Sequence, residues 1–366
     1  FKVWYSMEEA AVNRGTGCGS GIRRHGECMR TPKMQMKSKR GDFMVIRQHM
    51  QFLSNDSITL VHAVKWVPEG EVKAVLQISH GMCEFVERYD EFAVFLAERG
   101  VLVVGNDHLG HGESIRSKEE YGYFAEENGN STLIKDLHRL RKMVQEDYPH
   151  APYFLLGHSM GSFLARQYIC CYGKGLAGAV IMGTGHHTGN IAMLGMLVCK
   201  LFARVKGWRY RSRFVDALAF GGYNRGFGKS RAGKEWLTKD ENCVRTYVSD
   251  ERCTFRFTLN AYYNMFLGLY KLSEEGYLRR MPKTLPVLFA AGGDDPVGAY
   301  GKGVMLVYAR FKELGMKNVK CRLYPGDRHE ILNETDREKV YRDIYTWLSE
   351  CLEGTGKMNN KKQEGF

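Results

Sequence analysis

A chain of 366 residues, 44% hydrophobic and 26% charged, is long enough for one large α/β domain or two small ones and can bury a sizeable core. No stretch approaches the ~18 consecutive apolar residues that cross a bilayer; the longest candidate, residues 191–205, is broken by Lys200 and Arg204 and reads as amphipathic. The formal charge of +12 gathers at the ends, with ten Lys or Arg against four Asp or Glu in residues 1–50 and three Lys against one Glu in the last ten. That leaves about +4 for the body, which argues against a nucleic-acid-binding surface.

Residues 1–42 are rich in Gly, Arg, Lys and Met without a sustained helical or alternating pattern, and are expected to form a disordered basic extension. Two strand-like runs follow, Phe43 to Leu53 and Thr59 to Val67, around the turn-like Ser54-Asn55-Asp56-Ser57. From residue 72 the pattern alternates. Strands are expected at Val72 to Ser79, Val101 to Asn106, Tyr153 to Leu156 and Leu176 to Met182, and helices at Tyr89 to Arg99, Leu133 to Glu146 and Phe163 to Cys170. Such alternation predicts a mostly parallel, doubly wound sheet covered on both faces. It stops after Thr184. Residues 186–283 carry helical segments, aromatic clusters and basic residues, and strand and helix then resume at Pro286 to Ala291, Gly301 to Leu314, Val319 to Tyr324 and Asp336 to Leu352. The expected organisation is a core over 43–185 and 284–352, a helical cap inserted at 186–283, and a disordered tail at 353–366.

The chemistry centres on Gly157-His158-Ser159-Met160-Gly161. An apolar strand runs into Gly-x-Ser-x-Gly and a helix leaves it, the context in which such a serine projects above a sheet edge. Side chains at 157 or 161 would collide with the neighbouring strand and helix. A serine hydroxyl needs a histidine base, and that histidine an orienting acid. His329, between the last strand and the last helix, is placed to deliver the base. The acid is expected after the preceding strand, in Gly292-Gly293-Asp294-Asp295-Pro296-Val297. Asp295 is preferred over Asp294 because Pro296 fixes the backbone beside it. The resulting order Ser, Asp, His is that of α/β-hydrolases. An oxyanion needs two backbone donors: the amide of Met160, directly after the serine, and that of Met82, which Gly81 allows to turn inward after the strand ending at Ser79. In Asp107-His108-Leu109-Gly110-His111-Gly112 the two histidines admit a metal-site reading, but the glycines and the want of a third ligand favour a compact loop bracing the nucleophile.

These motifs, taken with His80-Gly81-Met82-Cys83-Glu84, resemble the monoacylglycerol lipase and lysophospholipase group of α/β-hydrolases, grouped with the serine aminopeptidase S33 family. The resemblance covers residues 59 to about 352. It implies Ser159 as nucleophile, Asp295 as acid, His329 as base, the amides of Met82 and Met160 as oxyanion hole, and His80, Gly81, Gly157, His158 and Gly161 in support, with no metal or organic cofactor. The cap is larger and more basic than the lipase proper would lead one to expect, so the substrate rests on the cap. Ile191, Met193, Leu194, Met196, Leu197, Leu201 and Phe202 would present an apolar acyl surface or pack the cap onto the sheet. Arg204, Lys206, Arg209, Arg211 and Arg213 would meet an anionic head group or lipid surface, or form a solvated face. The expected activity is hydrolysis of a single-chain acyl ester, monoacylglycerol or lysophospholipid, with a serine peptidase using the same triad as the alternative. Ten cysteines without a repeating spacing, and no apolar leader with a cleavage site, point to a cytoplasmic protein with reduced thiols.

Overall fold

The computed structural model describes residues 35–40, 43–227 and 233–363. In chain order it begins with β1 (Gln35–Arg40), β2 (Phe43–Leu53), β3 (Leu60–Val67), β4 (Ala74–Ser79), α1 (Asp90–Ala97), β5 (Val101–Asn106), α2 (Gly129–Asp147), β6 (Tyr153–His158), α3 (Met160–Tyr172) and β7 (Gly178–Met182). Among the described residues five α-helices follow before the sheet resumes: α4 (Gly189–Lys206), α5 (Arg213–Phe220), α6 (Glu241–Ser249), α7 (Leu259–Lys271) and α8 (Glu275–Leu278). The chain closes with β8 (Val287–Gly292), α9 (Lys302–Glu313), β9 (Val319–Tyr324) and α10 (Arg337–Gln363).

Among the described residues the strands form one sheet in the order β1-β2-β3-β5-β4-β6-β7-β8-β9. The first three strands and the β3–β5 pair are antiparallel, and every pair from β5 to β9 is parallel. This is the α/β-hydrolase fold, with the helical cap inserted between β7 and β8. The chain order reverses around β4, which lies between β5 and β6. At such a switch point the loops leaving the strand ends diverge and open a crevice.

The period of two along each strand explains the two cores. Leu76, Ile78, Val103, Phe154, Leu156, Val180 and Leu288 face α1 and α10, where Phe92, Ile344 and Trp347 meet them. Their neighbours Val75, Leu102, Leu155, Ile181 and Phe289 face α2, α3 and α9, through Leu137, Leu164, Tyr168 and Phe311. Tyr262 and Phe266 of α7 join this second core, which seats the cap on the body. A Cβ at Gly195 of α4 would come within 2.8 Å of the Phe266 ring, so glycine there lets α4 and α7 approach closely.

Two terminal expectations need correction. Within the supposedly disordered residues 1–42, residues 35–40 pair antiparallel with β2, Gln35 opposite Gln48 through Arg40 opposite Phe43; the long β2 offers a free edge that the incoming chain can extend. Residues 1–34 lie outside the described residues. The tail expected to be disordered from residue 353 instead continues α10 to Gln363. No proline interrupts it.

Candidate active site

Ser159 sits between β6 and α3 with φ 54° and ψ −120°, a conformation that costs a non-glycine residue roughly 1–3 kcal/mol and is found where the surrounding structure imposes it. The flanking glycines are what make the turn possible. A Cβ on Gly157 would lie 2.3 Å from the carbonyl oxygen of Gly161 and 2.6 Å from the Cβ of Ala165; one on Gly161 would lie 1.9 Å from the carbonyl oxygen of Ser79. The helix therefore presses against both its own strand and β4. The Ser159 N–H donates to the Met182 carbonyl at 3.0 Å, pinning the elbow to β7.

Asp295 and His329 leave the ends of adjacent parallel strands, β8 and β9, and meet. His329 Nδ1 lies 3.0 Å from each carboxylate oxygen of Asp295, with both residues buried. A carboxylate can only accept, so Nδ1 carries the proton and Nε2 presents its lone pair. That Nε2 is buried and has no hydrogen-bond partner among the described residues. The Val297 N–H donates to Asp295 Oδ1 at 2.9 Å, whereas Asp294 is exposed. Ser159 and His329 line one cavity of about 870 Å³.

The loop after β4 passes directly against the serine: a Cβ on Gly81 would lie 3.0 Å from Ser159 Cβ. The next residue but one, Cys83, has φ 54°, so the chain curls around Met82, which lines the cavity. Met160 is the first residue of α3, and a first-turn N–H has no acceptor within its helix. His80 secures this loop. Its Nε2 accepts from the His108 N–H at 2.9 Å and its Nδ1 donates to the Gly81 carbonyl at 2.8 Å. Burial lowers its pKa, consistent with that neutral tautomer. The 107–112 loop is a brace: Asp107 accepts from the Val86 and Glu113 N–H groups at 2.8 and 2.9 Å and from His62 Nδ1 at 2.9 Å. A Cβ on Gly112 would fall onto that carboxylate. The His111 ring packs against Phe124, Phe255 and Phe257, and burial pushes its pKa down to about 3.

Sequence reasoning missed a buried charge cluster behind the elbow. Glu84 Oε1 accepts from the Gly81 N–H, from Tyr89 Oη at 3.0 Å and from His158 Nδ1 at 3.1 Å. Arg88 bridges Glu84 at 2.9 Å to both carboxylate oxygens of Glu330 at 2.8 and 2.7 Å. His158 Nε2 donates to the His329 carbonyl at 3.3 Å. Both ring nitrogens of His158 thus face acceptors, which suits an imidazolium. Burial is the largest influence and opposes that charge, but the hydrogen bond to Glu84, the charges of Glu84 and Glu330 and the His329 carbonyl together outweigh it and raise the His158 pKa. Burial likewise opposes ionisation of Glu84, yet His158 and Arg88 hold its carboxyl well below the usual range. Two acids and two bases compensate one another, as buried charges must. The one sequence signal was the i,i+4 spacing of Glu84 and Arg88.

The cap closes the cavity. Ile191 and Leu194 of α4, Leu218 of α5 and Met265, Phe266 and Leu269 of α7 line one part; Tyr223, Lys234, Trp236, Tyr247 and Arg256 line another. Of the other residues expected at an acyl surface, Met196 and Phe202 pack partly buried against the core, while Met193, Leu197 and Leu201 are exposed. In the basic run, Arg211 lines the cavity and donates to the Glu119 and Tyr121 carbonyls at 2.7 and 2.8 Å, and the Arg209 guanidinium lies 4.0 Å above the Tyr123 ring centre.

A family profile described as serine aminopeptidase, S33, matches residues 70–336. Monoglyceride lipase from Rattus norvegicus is 40% identical over 300 residues, which are 80% of this chain and 87% of that protein. Monoacylglycerol lipase from Mycolicibacterium smegmatis is 23% identical over 304 residues, 82% and 97% of the two chains. Among solved structures, a thermostable carboxyl esterase from Bacillus coagulans superposes with a TM-score of 0.78 at 29% identity over 84% of this chain and 99% of its own. A soluble variant of monoglyceride lipase from Saccharomyces cerevisiae gives a TM-score of 0.62 at 18% identity over 89% and 99%.

Proposed function

The chain belongs to the serine aminopeptidase S33 family of α/β-hydrolases and is a carboxylic ester hydrolase, and from that premise we propose that it hydrolyses monoacylglycerol through an acyl-enzyme on Ser159. His329 Nε2 takes the proton of the Ser159 hydroxyl as Oγ attacks the ester carbonyl. The developing oxyanion accepts from the N–H groups of Met82 and Met160, each donor worth roughly 3 kcal/mol by analogy with donors in other enzymes. The tetrahedral intermediate collapses, the ester C–O bond breaks, and His329 passes its proton to the departing glycerol oxygen. Water, deprotonated in turn by His329, then releases the fatty acid and restores the serine. Asp295 keeps Nδ1 protonated and stabilises the imidazolium throughout. No step calls on a metal or organic cofactor.

The observation that carries this reading is the strained Ser159 in one cavity with a histidine whose Nδ1 is fixed by a buried carboxylate. The apolar lining from α4, α5 and α7 suits an acyl chain, and the rat relative is named for monoglyceride. A peptidase reading is not favoured, because the relatives reported above are named as lipases and an esterase. Replacing Ser159 by Ala should lower release of fatty acid from monoacylglycerol by at least about 10³-fold. Turnover within tenfold of the parent would refute the assignment, and a parallel panel of lysophospholipids tests whether a phosphorylated head group is also accepted.

Domain limits of 43–185 and 284–352 for the core and 186–283 for the cap belong to the same proposal. So does a cytoplasmic enzyme in transient contact with lipid. The described cysteines are free thiols, as a reducing compartment would keep them. Among the described residues no helix is long and apolar enough to cross a membrane, and contact would instead run through the exposed Leu197, Leu201 and Val205 of α4 with Phe214 of α5.

A further inference from the structure

Two aromatic rings pack close to the imidazole of His329. Its centroid lies 4.8 Å from that of His158 and 5.0 Å from that of Trp236. His158 comes with the elbow, but Trp236 comes from the cap, between α5 and α6. The cap segment that carries it is fastened along the histidine loop. The His329 N–H donates to the Trp236 carbonyl at 3.3 Å and the Glu330 N–H to the Leu237 carbonyl at 2.7 Å. Arg328 donates to the carbonyls of Glu235 and Thr238 at 2.6 and 3.2 Å, and Lys239 Nζ donates to Asp327 at 2.6 Å. Glu334 accepts from Thr238 Oγ1 and the Lys239 N–H at 3.1 and 3.0 Å. Trp236 is itself held, its N–H donating to Asn224 Oδ1 at 3.1 Å and its ring centroid 5.2 Å from that of Tyr223.

Asp295 constrains only one atom of the His329 ring, and its two oxygens stand equally distant from it. With the ring tethered at Cβ, the motion left to it is torsion about Cβ–Cγ, which would turn Nε2 away from the serine and loosen the Asp295 contact. Two rings packed close to the imidazole, His158 tilted by 42° and Trp236 by 41° to it, resist that rotation. We propose that Trp236 is a positioning residue for His329, so that the cap, and not the hydrolase core alone, sets the orientation of the base.

The inference rests on the reading of His329 as base, and its test is separable from that reading. Trp236→Ala and Trp236→Phe are compared with the parent on p-nitrophenyl butyrate and in the rate of Ser159 labelling by a fluorophosphonate probe. A misplacement of about 1 Å in a reacting group lowers rates by about 10²-fold, so kcat of the alanine variant should fall by about that factor. Its KM should stay within about threefold, labelling should slow in step, and phenylalanine should restore most of the loss. A folded alanine variant with kcat within twofold of the parent, or one in which only KM moves, overturns the proposal. Should alanine at 236 prevent folding, Trp236→Leu is judged by the same criteria. An active Ser159→Ala enzyme would instead refute the proposed function, whatever Trp236 does.

Discussion

Ser159 shows how single residues decide this site, because its backbone conformation persists only while two glycines keep the turn clear. The contact of α3 with β4 is the tighter one, with the Ser79 carbonyl oxygen 1.9 Å from where a Cβ on Gly161 would sit. Backbone cannot yield as a flexible side chain can, so Gly161→Ala should destabilise the fold by at least about 3 kcal/mol, the upper part of the range for overpacking, and remove most of the activity. Urea unfolding measures it, and a loss below about 1 kcal/mol would mean that the helix can shift away from β4. This requirement was legible in the sequence, since a Gly-x-Ser-x-Gly between strand and helix implies the collision. The positions of His329 and Asp295 were legible too, from their places after successive strands. The partners behind the elbow were not. Arg88 and Glu330 are 242 residues apart, and no local pattern announces that two charged side chains will be buried together. Trp236 was hidden for the same reason, because an aromatic residue in a long insertion gives no sign of which loop it will cover.

At the level of elements, the strands could be placed to within about two residues because buried parallel strands are short, apolar and rich in β-branched residues. Helix ends were less legible: α2 starts at Gly129 rather than near Leu133, on polar residues that periodicity passes over but that bond elsewhere, the Asn130 N–H donating to Asn264 of α7. The amphipathic reading of residues 191–205 was sound, yet the sequence could not say which apolar residues would meet solvent. On α4, Ile191, Leu194, Leu197, Leu201 and Val205 recur at steps of three and four and are all at least half exposed. Ile191 and Leu194 also line the cavity, so the apolar face runs up to the mouth of the site. With Lys200, Arg204 and Lys206 on the same helix, it is suited to rest on an anionic lipid surface. The double variant Leu197→Glu with Leu201→Glu should reduce co-sedimentation with phosphatidylglycerol-containing vesicles, and turnover of monoacylglycerol carried in them, by about tenfold or more, the scale set by two buried leucines. Hydrolysis of water-soluble p-nitrophenyl butyrate should stay within about twofold. Equal losses on both substrates would show that these leucines serve the acyl site rather than a surface.

Across the whole molecule, the loops at the switch point depend on buried histidines kept neutral, and this sets how stability responds to acid. Burial lowers the pKa of His80 and His108, and that of His111 to about 3 from the usual 6.5. In the unfolded chain these rings take up protons as pH falls below about 6.5, while in the folded protein they do not. The unfolded state therefore binds more protons, and stability falls with falling pH. His158 works in the opposite sense: its raised pKa contributes stability that is fully present below 6.5 and lost as pH rises through the folded value. Glu84, held well below its usual range, adds to the acid side, since its contribution is present above about 4.5 and lost as pH drops further. Among the described residues burial also lowers His49, His138, His186 and His187, while His62 is raised as His158 is; seven lowered histidines outweigh two raised, so the net expectation is a stability plateau near neutrality that declines from about pH 6.5 downward. His111 alone should contribute about 2 kcal/mol of that loss between pH 7 and pH 5. His111→Asn retains a donor for the Leu109 carbonyl, which His111 Nδ1 meets at 3.1 Å, but removes the titration. Urea unfolding at the two pH values should thus show the parent losing about 2 kcal/mol more than the variant, whatever the variant's stability at pH 7. Equal losses in both would mean that the cage of Phe124, Phe255 and Phe257 opens enough to let the charged ring reach water.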